Sequence, residues 1–508
     1  LETELKFEVD PAGAKALGEH LSMSSLGQSR KLRAVYYDTP ETDLREHGLS
    51  LRVRDDGKRR IQTIKQSAPG GNGFRREEWE CVLDAGAALS PDLDAAARTP
   101  LGAFLSRREL GFMRPVFEVE VKRITRTVEV DGAIIEIALD RGCARAEDRR
   151  SPIGEVELEL KSGPPAALFA LARECASIAP LELSFLSKAS RGYALLDDAP
   201  PAAAQASDPR LRPGEPSGEA FQAMAGAVLN QISANARALR LARLPEALHQ
   251  LRVGVRRLRS AISIFAPMLS DQALEGVKAE LKWLAGELDD ARDLDVFTQD
   301  VLRPALAREP GLLGLAALGD RVAAARARAY ARAEAAIGSS RFRDLMLSTL
   351  AWVEAGDWRI GDDPLLETLR TRPVRALARE ELDKRRRSIL KKARRLADME
   401  PAERHRLRIR VKRLRYACGF FASLYPGKAQ QAFSTAARQL QDSLGALTDI
   451  AFSRELALRV AGLEGAQAEP AEAFAAGALV GQALAPLNVR LKAAVKAGRT
   501  LRQADIFW

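Results

Sequence analysis

The chain has few of the residues that mark several protein classes. Four cysteines in 508 residues (Cys81, Cys143, Cys175, Cys418) lie far apart with no CxxC pair. That spacing excludes a disulfide scaffold and a zinc ribbon, and it fits a reducing cytosol. No apolar run approaches the ~20 residues that cross a bilayer; the most apolar stretch, Ala473 to Gly481, is short and Ala-rich. Aromatic residues make up only 6% of the chain, and no helix-turn-helix, RRM or zinc-finger pattern occurs, so nucleic acid is disfavoured as a partner. The sequence opens directly on charged residues, so no signal peptide is expected; its first residue is Leu, not Met, so a few preceding residues are expected. The expected location is the cytoplasm.

The 46% of hydrophobic residues is enough for real cores, and the length is that of two or three domains. The net charge of +10 hides a split. Residues 1–200 carry 29 basic and 33 acidic side chains, whereas residues 201–508 carry 49 and 35. The second part should attract a polyanion; the first should not do so by bulk charge.

Between the two, Asp198 to Gly218 reads DAPPAAAQASDPRLRPGEPSG, with five prolines and no apolar period, and is expected to be an extended linker. Before it, LETELKFEV, LSLRVR, FEVEVKR, AIIEIALD and EVELELK alternate with period two, separated by DDGK, PGGNG and VDG turns. That pattern predicts antiparallel strands. After it the period becomes three and four, and long helices are expected. The fold class is thus multidomain α+β, with a β-rich domain over 1–197, a linker over 198–217 and an all-α domain over 218–508.

Within the β part, Glu2, Glu4 and Lys6 share a strand face, as do Glu155, Glu157, Glu159 and Lys161, while Arg52 and Arg54 share another. Any one such face is ordinarily solvated. Strands that differ in sign, however, would give a closed sheet a lumen with carboxylates on one wall and guanidinium groups on the other. Such a lumen suits a metal–polyphosphate complex, since hard Mg²⁺ or Mn²⁺ takes oxygen ligands and Arg grips phosphate through its planar fork.

Glu2-Thr3-Glu4-Leu5-Lys6 resembles the ExExK signature of the CYTH family, the triphosphate tunnel metalloenzymes. The resemblance continues through Tyr37-Asp38-Thr39, Leu51 to Arg54, Thr63 to Lys65, Arg76 to Glu80, Glu136 to Asp140, Glu155 to Lys161, Ser187-Lys188 and Arg191-Gly192. It implies an eight-stranded antiparallel barrel whose tunnel holds a triphosphate. It also implies Glu2, Glu4 and Glu159 as metal ligands, with Asp140 and Glu157 serving the same or a second ion. Arg52, Arg54, Lys65, Arg123 and Lys188 would hold phosphate, and Lys6 would position the attacking water. For Arg123, the neighbours Lys122 and Arg126 compete, because alternation is irregular there.

The helical part repeats itself. HQLRVGVRRLRSAISIF from His249 and HRLRIRVKRLRYACGFF from His405 agree at nine of seventeen positions. Leu284, Leu288 and Asp293 match Leu440, Leu444 and Asp449 at the same offset of 156, so a duplicated bundle is expected. Helical spacing puts His249, Arg252, Arg256 and Arg259 on one face, and His405, Arg408, Lys412 and Arg415 on its counterpart. Lys384 to Arg395 adds eight basic residues in twelve, either a solvated face or additional phosphate surface. HxLRVxxRRLR, LDDARDLD and HRLRIRVKRLRYA resemble the CHAD domain, and that resemblance implies binding of inorganic polyphosphate. The combined expectation is a metal-dependent inorganic triphosphatase with a polyphosphate-binding module, associated with polyphosphate granules. Same-fold alternatives are a thiamine-triphosphatase or an adenylyl cyclase; an alternative of another class is a non-catalytic polyphosphate-binding or granule-targeting protein.

Overall fold

The computed structural model describes residues 2–508 apart from 24–26, 58, 67–73, 84–88, 105–109, 198–201, 362 and 463–468. The PGGNG turn, Lys58 of DDGK and the first four linker positions therefore lie outside the described residues. The chain divides into two compact units. One contains Leu1–Pro209, Ala225–Gln250 and Ser339–Asp357; the other contains Arg210–Met224, Leu251–Gly338 and Trp358–Trp508.

The first unit holds strands β1 (Glu2–Glu8), β2 (Gln28–Asp38), β3 (Leu49–Asp55), β4 (Arg60–Gln66), β5 (Arg75–Leu83), β6 (Arg114–Val130), β7 (Ala133–Ala146), β8 (Arg149–Ser162) and β9 (Glu182–Leu183). Helices α1 (Pro11–His20), α2 (Pro165–Ile178) and α3 (Lys188–Leu196) accompany them. The antiparallel sheet runs β5-β4-β3-β2-β6-β7-β8-β1-β9. Eight strands were expected; the ninth is a two-residue strand on the outer side of β1, too short to carry a period. A further pairing of β5 with β1 covers only Glu2↔Arg76 and Thr3↔Arg75, so the barrel has a short seam rather than full closure.

Period-two alternation decides which faces are dry. In β3, Leu49, Leu51 and Val53 are buried, and they pack outward with Val35, Ile64, Ala96, Leu101 and Leu110. Helices α1 and α2 lie against β8, and α2 also lies against β7. The apolar face is thus the outside of the sheet, covered by helices, and the charged face turns inward. The VDG turn between β6 and β7 holds Asp131 at φ 48° and Gly132 at φ 72°, the two left-handed positions of a tight hairpin. Part of the inner face is apolar: Leu32, Ala34, Phe117, Val119, Val121 and Ile153 pack with Tyr193 of α3. Gly192 lets that helix come close, since a Cβ there would stand 2.1 Å from the Phe117 ring.

The longer helices of the helical part are α4 (Ser217–Ala242), α5 (Pro245–Phe265), α6 (Ala273–Phe297), α7 (Leu315–Gly338), α8 (Ser340–Ala355), α9 (Val374–Ala393), α10 (Pro401–Phe420), α11 (Lys428–Val460), α12 (Pro470–Leu484) and α13 (Leu487–Gln503). The α4 residues from Ala225 onward count with the first unit, where Ser233 Oγ donates to the Leu183 carbonyl at 3.0 Å and Arg240 pairs with Glu182. These contacts cover the edge that β9 would otherwise expose. The two similar segments fall on helices α5 and α10. Pro245 opens α5 and Pro401 opens α10, 156 residues apart, and each helix runs into a 3₁₀ turn, Ala266–Met268 or Ala422–Leu424. The stripes Leu251, Val255, Leu258, Ile262 and Leu407, Val411, Leu414 are buried in their respective copies.

Candidate active site and anion-binding surface

The charged half of the barrel lumen is a cavity of about 230 Å³. Its carboxylate wall follows from register. Glu4 on β1 pairs across to Glu159 on β8, which pairs across to Glu136 on β7. All three line the cavity, and Glu4 is only 7% exposed. Like charges directly opposite on neighbouring strands repel. Lys161 answers part of that repulsion, at 2.6 Å from Glu159 and 3.8 Å from Glu136. A row of hard oxygen donors of this kind fits a divalent cation.

Two residues along β8 the balance is different. Lys6 lies 3.1 Å from Glu157, its cross-strand partner, and 3.5 Å from Glu4. Next comes the Asp140–Glu155 pair, and here the protein supplies its own cations. The Lys188 ammonium sits 2.8 Å from Asp140, 2.7 Å from Glu155 and 2.8 Å from Glu157. Arg123 grips Asp140 at 2.6 Å and Glu157 at 2.5 Å, and Arg191 holds Glu155 at 3.1 Å. Asp140, Glu155 and Glu157 are close enough to one another to share a metal ion, but they are gathered around an ammonium. Burial alone would push the Glu157 carboxyl up; Lys188, Lys6 and Arg123 outweigh it and hold it well below the usual range.

The facing wall is cationic. Arg52, Arg54 and Lys65 project from β3 and β4 beside Tyr36 and Arg123. Glu78 lies 3.2 Å from Lys65 and 3.8 Å from Arg52; Glu80 lies 3.8 Å from Arg54. These carboxylates do not offset the like charge at Arg54. Arg52 above all, then burial and Arg123, lower the Arg54 guanidinium to about 10. A guanidinium destabilised by like charge is a place that favours an anion. The N-terminus of α3 adds to it: Ser187 caps the helix by accepting from Ser190 N at 3.0 Å, and Ser187, Lys188 and Ala189 line the cavity.

In the helical unit the duplicated segments repeat an ion pair. Arg252 lies 3.4 Å from Asp293, and Arg408 lies 3.1 Å from Asp449, each pair at matching positions of the two copies. The first copy adds Asp289 at 2.5 Å from Arg252; its counterpart is Gly445, where a Cβ would stand 3.2 Å from the Arg408 guanidinium. The second copy is therefore less neutralised. Burial, then Arg408, Arg256 and Arg252, lower the Lys412 ammonium to about 7, so cations of both copies face one another across α5 and α10. His405 is exposed and held below its ordinary value by burial, Arg408 and Lys412. His249 and Arg415 are half-buried on their helices, and Arg259 is exposed.

Comparison with known families matches residues 1–193 to the CYTH domain and residues 223–458 to the CHAD domain. This chain carries a CYTH domain followed by a CHAD domain. The CYTH part is similar to an inorganic triphosphatase of Haemophilus influenzae, 28% identical over 203 residues. That alignment covers 38% of this chain and 54% of the relative, so the chain spans about half the length of the curated protein it matches. The CHAD part is similar to the solved CHAD domain of the plant Ricinus communis, at 32% identity and a TM-score of 0.52 over 60% of this chain and 99% of that one. HpAC1 from Hippeastrum aligns over 38% of this chain and 96% of its own, at 17% identity and a TM-score of 0.30.

Of the residues singled out in the CYTH sequence, Glu4, Lys6, Arg52, Arg54, Lys65, Arg123, Glu157, Glu159 and Lys188 line the cavity. Arg123 is the residue that faces in; Lys122 is exposed, and Arg126 donates instead to the Leu21 carbonyl. Asp140 lies behind the cavity wall with a fully buried side chain. Glu2 is in β1, and its side chain lies outside the described residues. Sequence reasoning missed Glu136, Glu78, Glu80 and Tyr36 as lining residues. The alternation of Glu136, Ala138 and Asp140 along β7 was a usable signal for the first.

Proposed function

We propose that the CYTH domain hydrolyses inorganic triphosphate with Mg²⁺ or Mn²⁺, and that the CHAD domain binds inorganic polyphosphate, in the cytoplasm and in association with polyphosphate granules. The observation that carries this reading is the cavity's opposition of the Glu4–Glu159–Glu136 row to the Arg52–Arg54–Lys65 wall, where Arg52 and Arg123 leave the Arg54 guanidinium destabilised by like charge. The name of the Haemophilus relative favours the inorganic substrate over a thiamine or adenosine triphosphate.

Glu4, Glu159 and Glu136, with Glu2 from the same strand, would hold the metal. A divalent ion bound there supplies charge neutralisation at phosphate oxygens and orients the water that attacks. Arg52, Arg54 and Lys65 bind the non-transferred oxygens and fix the phosphate chain across the lumen. Arg123 and Lys188, anchored by Asp140 and Glu157, present fixed positive charge that needs no reorganisation as negative charge develops. Lys6, held between Glu4 and Glu157, donates to the attacking water and sets its approach. In the CHAD domain, Arg252, Arg256, Arg408 and Lys412 with His405 form a basic track, to which His249, Arg259 and Arg415 add charge along the two helices.

A phosphate-release screen across triphosphate, thiamine triphosphate, ATP and long-chain polyphosphate, each with Mg²⁺, Mn²⁺ or chelator, tests the assignment. Triphosphate with metal should be turned over fastest, and chelator should abolish release. Glu4→Gln and Glu159→Gln should each remove turnover while leaving the unfolding temperature within a few degrees, because these carboxylates face a lumen rather than a packed core. Normal turnover in both variants, or turnover indifferent to chelator, would refute the metal-assisted tunnel.

A further inference from the structure

The α10 helix is basic on two flanks, and the basic track uses only one. Its buried stripe of Leu407, Val411 and Leu414 has His405, Arg408, Lys412 and Arg415 on one side; Arg406, Arg410 and Arg413 lie at helical spacing on the other. The second flank faces α9, part of the Lys-Arg run from Lys384, and encloses with it a cavity of about 400 Å³. Ser263, Ser388 and Ile409 complete the lining.

The cavity's charge is lopsided. Lys384, Arg385, Arg406, Arg410 and Arg413 line it against a single carboxylate, Glu381. That carboxylate is shared between Lys384 at 3.2 Å and Arg385 at 3.0 Å. Arg410 donates to Ser388 Oγ at 2.5 Å, a neutral partner. Arg385 is half-buried with its Nε unpaired; burial and then Arg413 hold its guanidinium below the ordinary value against the pull of Glu381. Arginines converging without counter-charge are costly unless an anion joins them.

The duplication argues that the fold does not require this arrangement. Positions equivalent to Arg406, Arg410 and Arg413 in α5 are Gln250, Gly254 and Arg257. Arg257 is buried, with its guanidinium 4.9 Å from the centre of the Phe420 ring. The track repeats in both copies, but the second basic flank belongs to the second copy alone. The α10 helix needs it neither to pack its stripe nor to complete the track.

We propose that the α9–α10 cavity is a separate binding site for a compact diphosphate-bearing anion, either free pyrophosphate or the diphosphate end of a nucleotide. Its volume falls within the ~300–1,000 Å³ of small-molecule sites. Three exposed arginines of one helix flank can fork onto successive phosphate groups, as planar guanidinium groups do.

Equilibrium dialysis of labelled pyrophosphate against the full chain in chelator tests this site. The variants are Arg406→Ala/Arg410→Ala/Arg413→Ala for the cavity and Arg252→Ala/Arg408→Ala for the track. The cavity variant should lose one bound pyrophosphate per chain, or bind it at least about tenfold more weakly, while its triphosphatase rate stays that of the wild type. The track variant should keep that pyrophosphate, which separates failure of this site from failure of the track. Ser388→Glu, which places an acid inside the cavity, should reproduce the loss and decides the matter if the triple variant unfolds. Competition by ADP identifies a nucleotide as the source, and its absence identifies free pyrophosphate. Unchanged stoichiometry and affinity in the cavity variants, or a loss seen only with long-chain polyphosphate, would overturn the proposal.

Discussion

Removing the Lys188 ammonium would leave Asp140, Glu155 and Glu157 facing one another with only the flanking arginines and Lys6 to answer them. Lys188 is 9% exposed, and breaking a buried charge pair from one side costs about 3–5 kcal/mol. Lys188→Ala should therefore lower the barrel's stability by that order in denaturant unfolding. The pH dependence has a definite sign. Burial would raise Asp140 and Glu157, and Lys188 foremost, with Arg123, holds both below their ordinary values. Depressed carboxylates contribute stability that is complete above their unfolded values near 4 and is lost as pH falls through the folded ones. In Lys188→Ala that contribution shrinks and its loss ends at higher pH, so the variant's deficit should hold above about pH 4 and narrow below it. A deficit that does not narrow as pH falls below about 4 would show that Lys188 acts by packing alone. These residues were legible in the sequence as charged types on given faces. Which charges cancel was not, because the partners meet across strands and from α3, far apart along the chain.

At the scale of elements, α3 is the piece whose placement matters most to the cavity. It brings Lys188 and Arg191 in from its first turn and Tyr193 from its second, and Tyr193 donates to buried Asp38 at 2.6 Å. Its approach depends on Gly192. Gly192→Ala would drive a methyl group into Phe117, so the helix must shift, at about 1–3 kcal/mol for an overpacked contact. The expected outcome is a modest fall in unfolding temperature with a larger loss of turnover, since Lys188 moves with the helix. Equal, small losses of both would mean that the ring moves aside instead. Strand and helix types were readable from period alone, as β3 and the helices α5 and α10 show. The ninth strand was not, because Glu182 and Leu183 are held by β1 and by α4 rather than by any pattern of their own.

Considered whole, the chain carries two ways of managing unpaired positive charge, a lumen in one unit and a helical track in the other. Among the lysine and arginine residues of α5 and α10, Lys412 is the one whose charge depends on pH near neutrality. Lys412 is lowered from 10.5 to about 7 by burial and by Arg408, Arg256 and Arg252, with Asp449 opposing. As pH falls from 10.5 toward 7, the unfolded chain takes up a proton that the native chain refuses, so this site destabilises the helical unit over that window and adds nothing further below it. A bound polyanion restores the proton. Polyphosphate affinity should thus fall as pH rises above about 7, with proton uptake on binding at pH 8 detectable by calorimetry in buffers of different ionisation enthalpy. Lys412→Met should abolish the uptake; uptake that persists would assign it to His405.

The pairing of Glu4 with Glu159 also sets an order of events during synthesis. β1 leaves the ribosome before its partner β8, which follows about 150 residues later, so ring closure over a long loop must precede the carboxylate row. The β3–β4 hairpin, with Arg52, Arg54 and Lys65, can form locally long before. A nascent chain therefore owns its cationic wall first and leaves one edge of β1 unpaired until β8 docks. The cavity comes into being in one late step, when β1 meets β8.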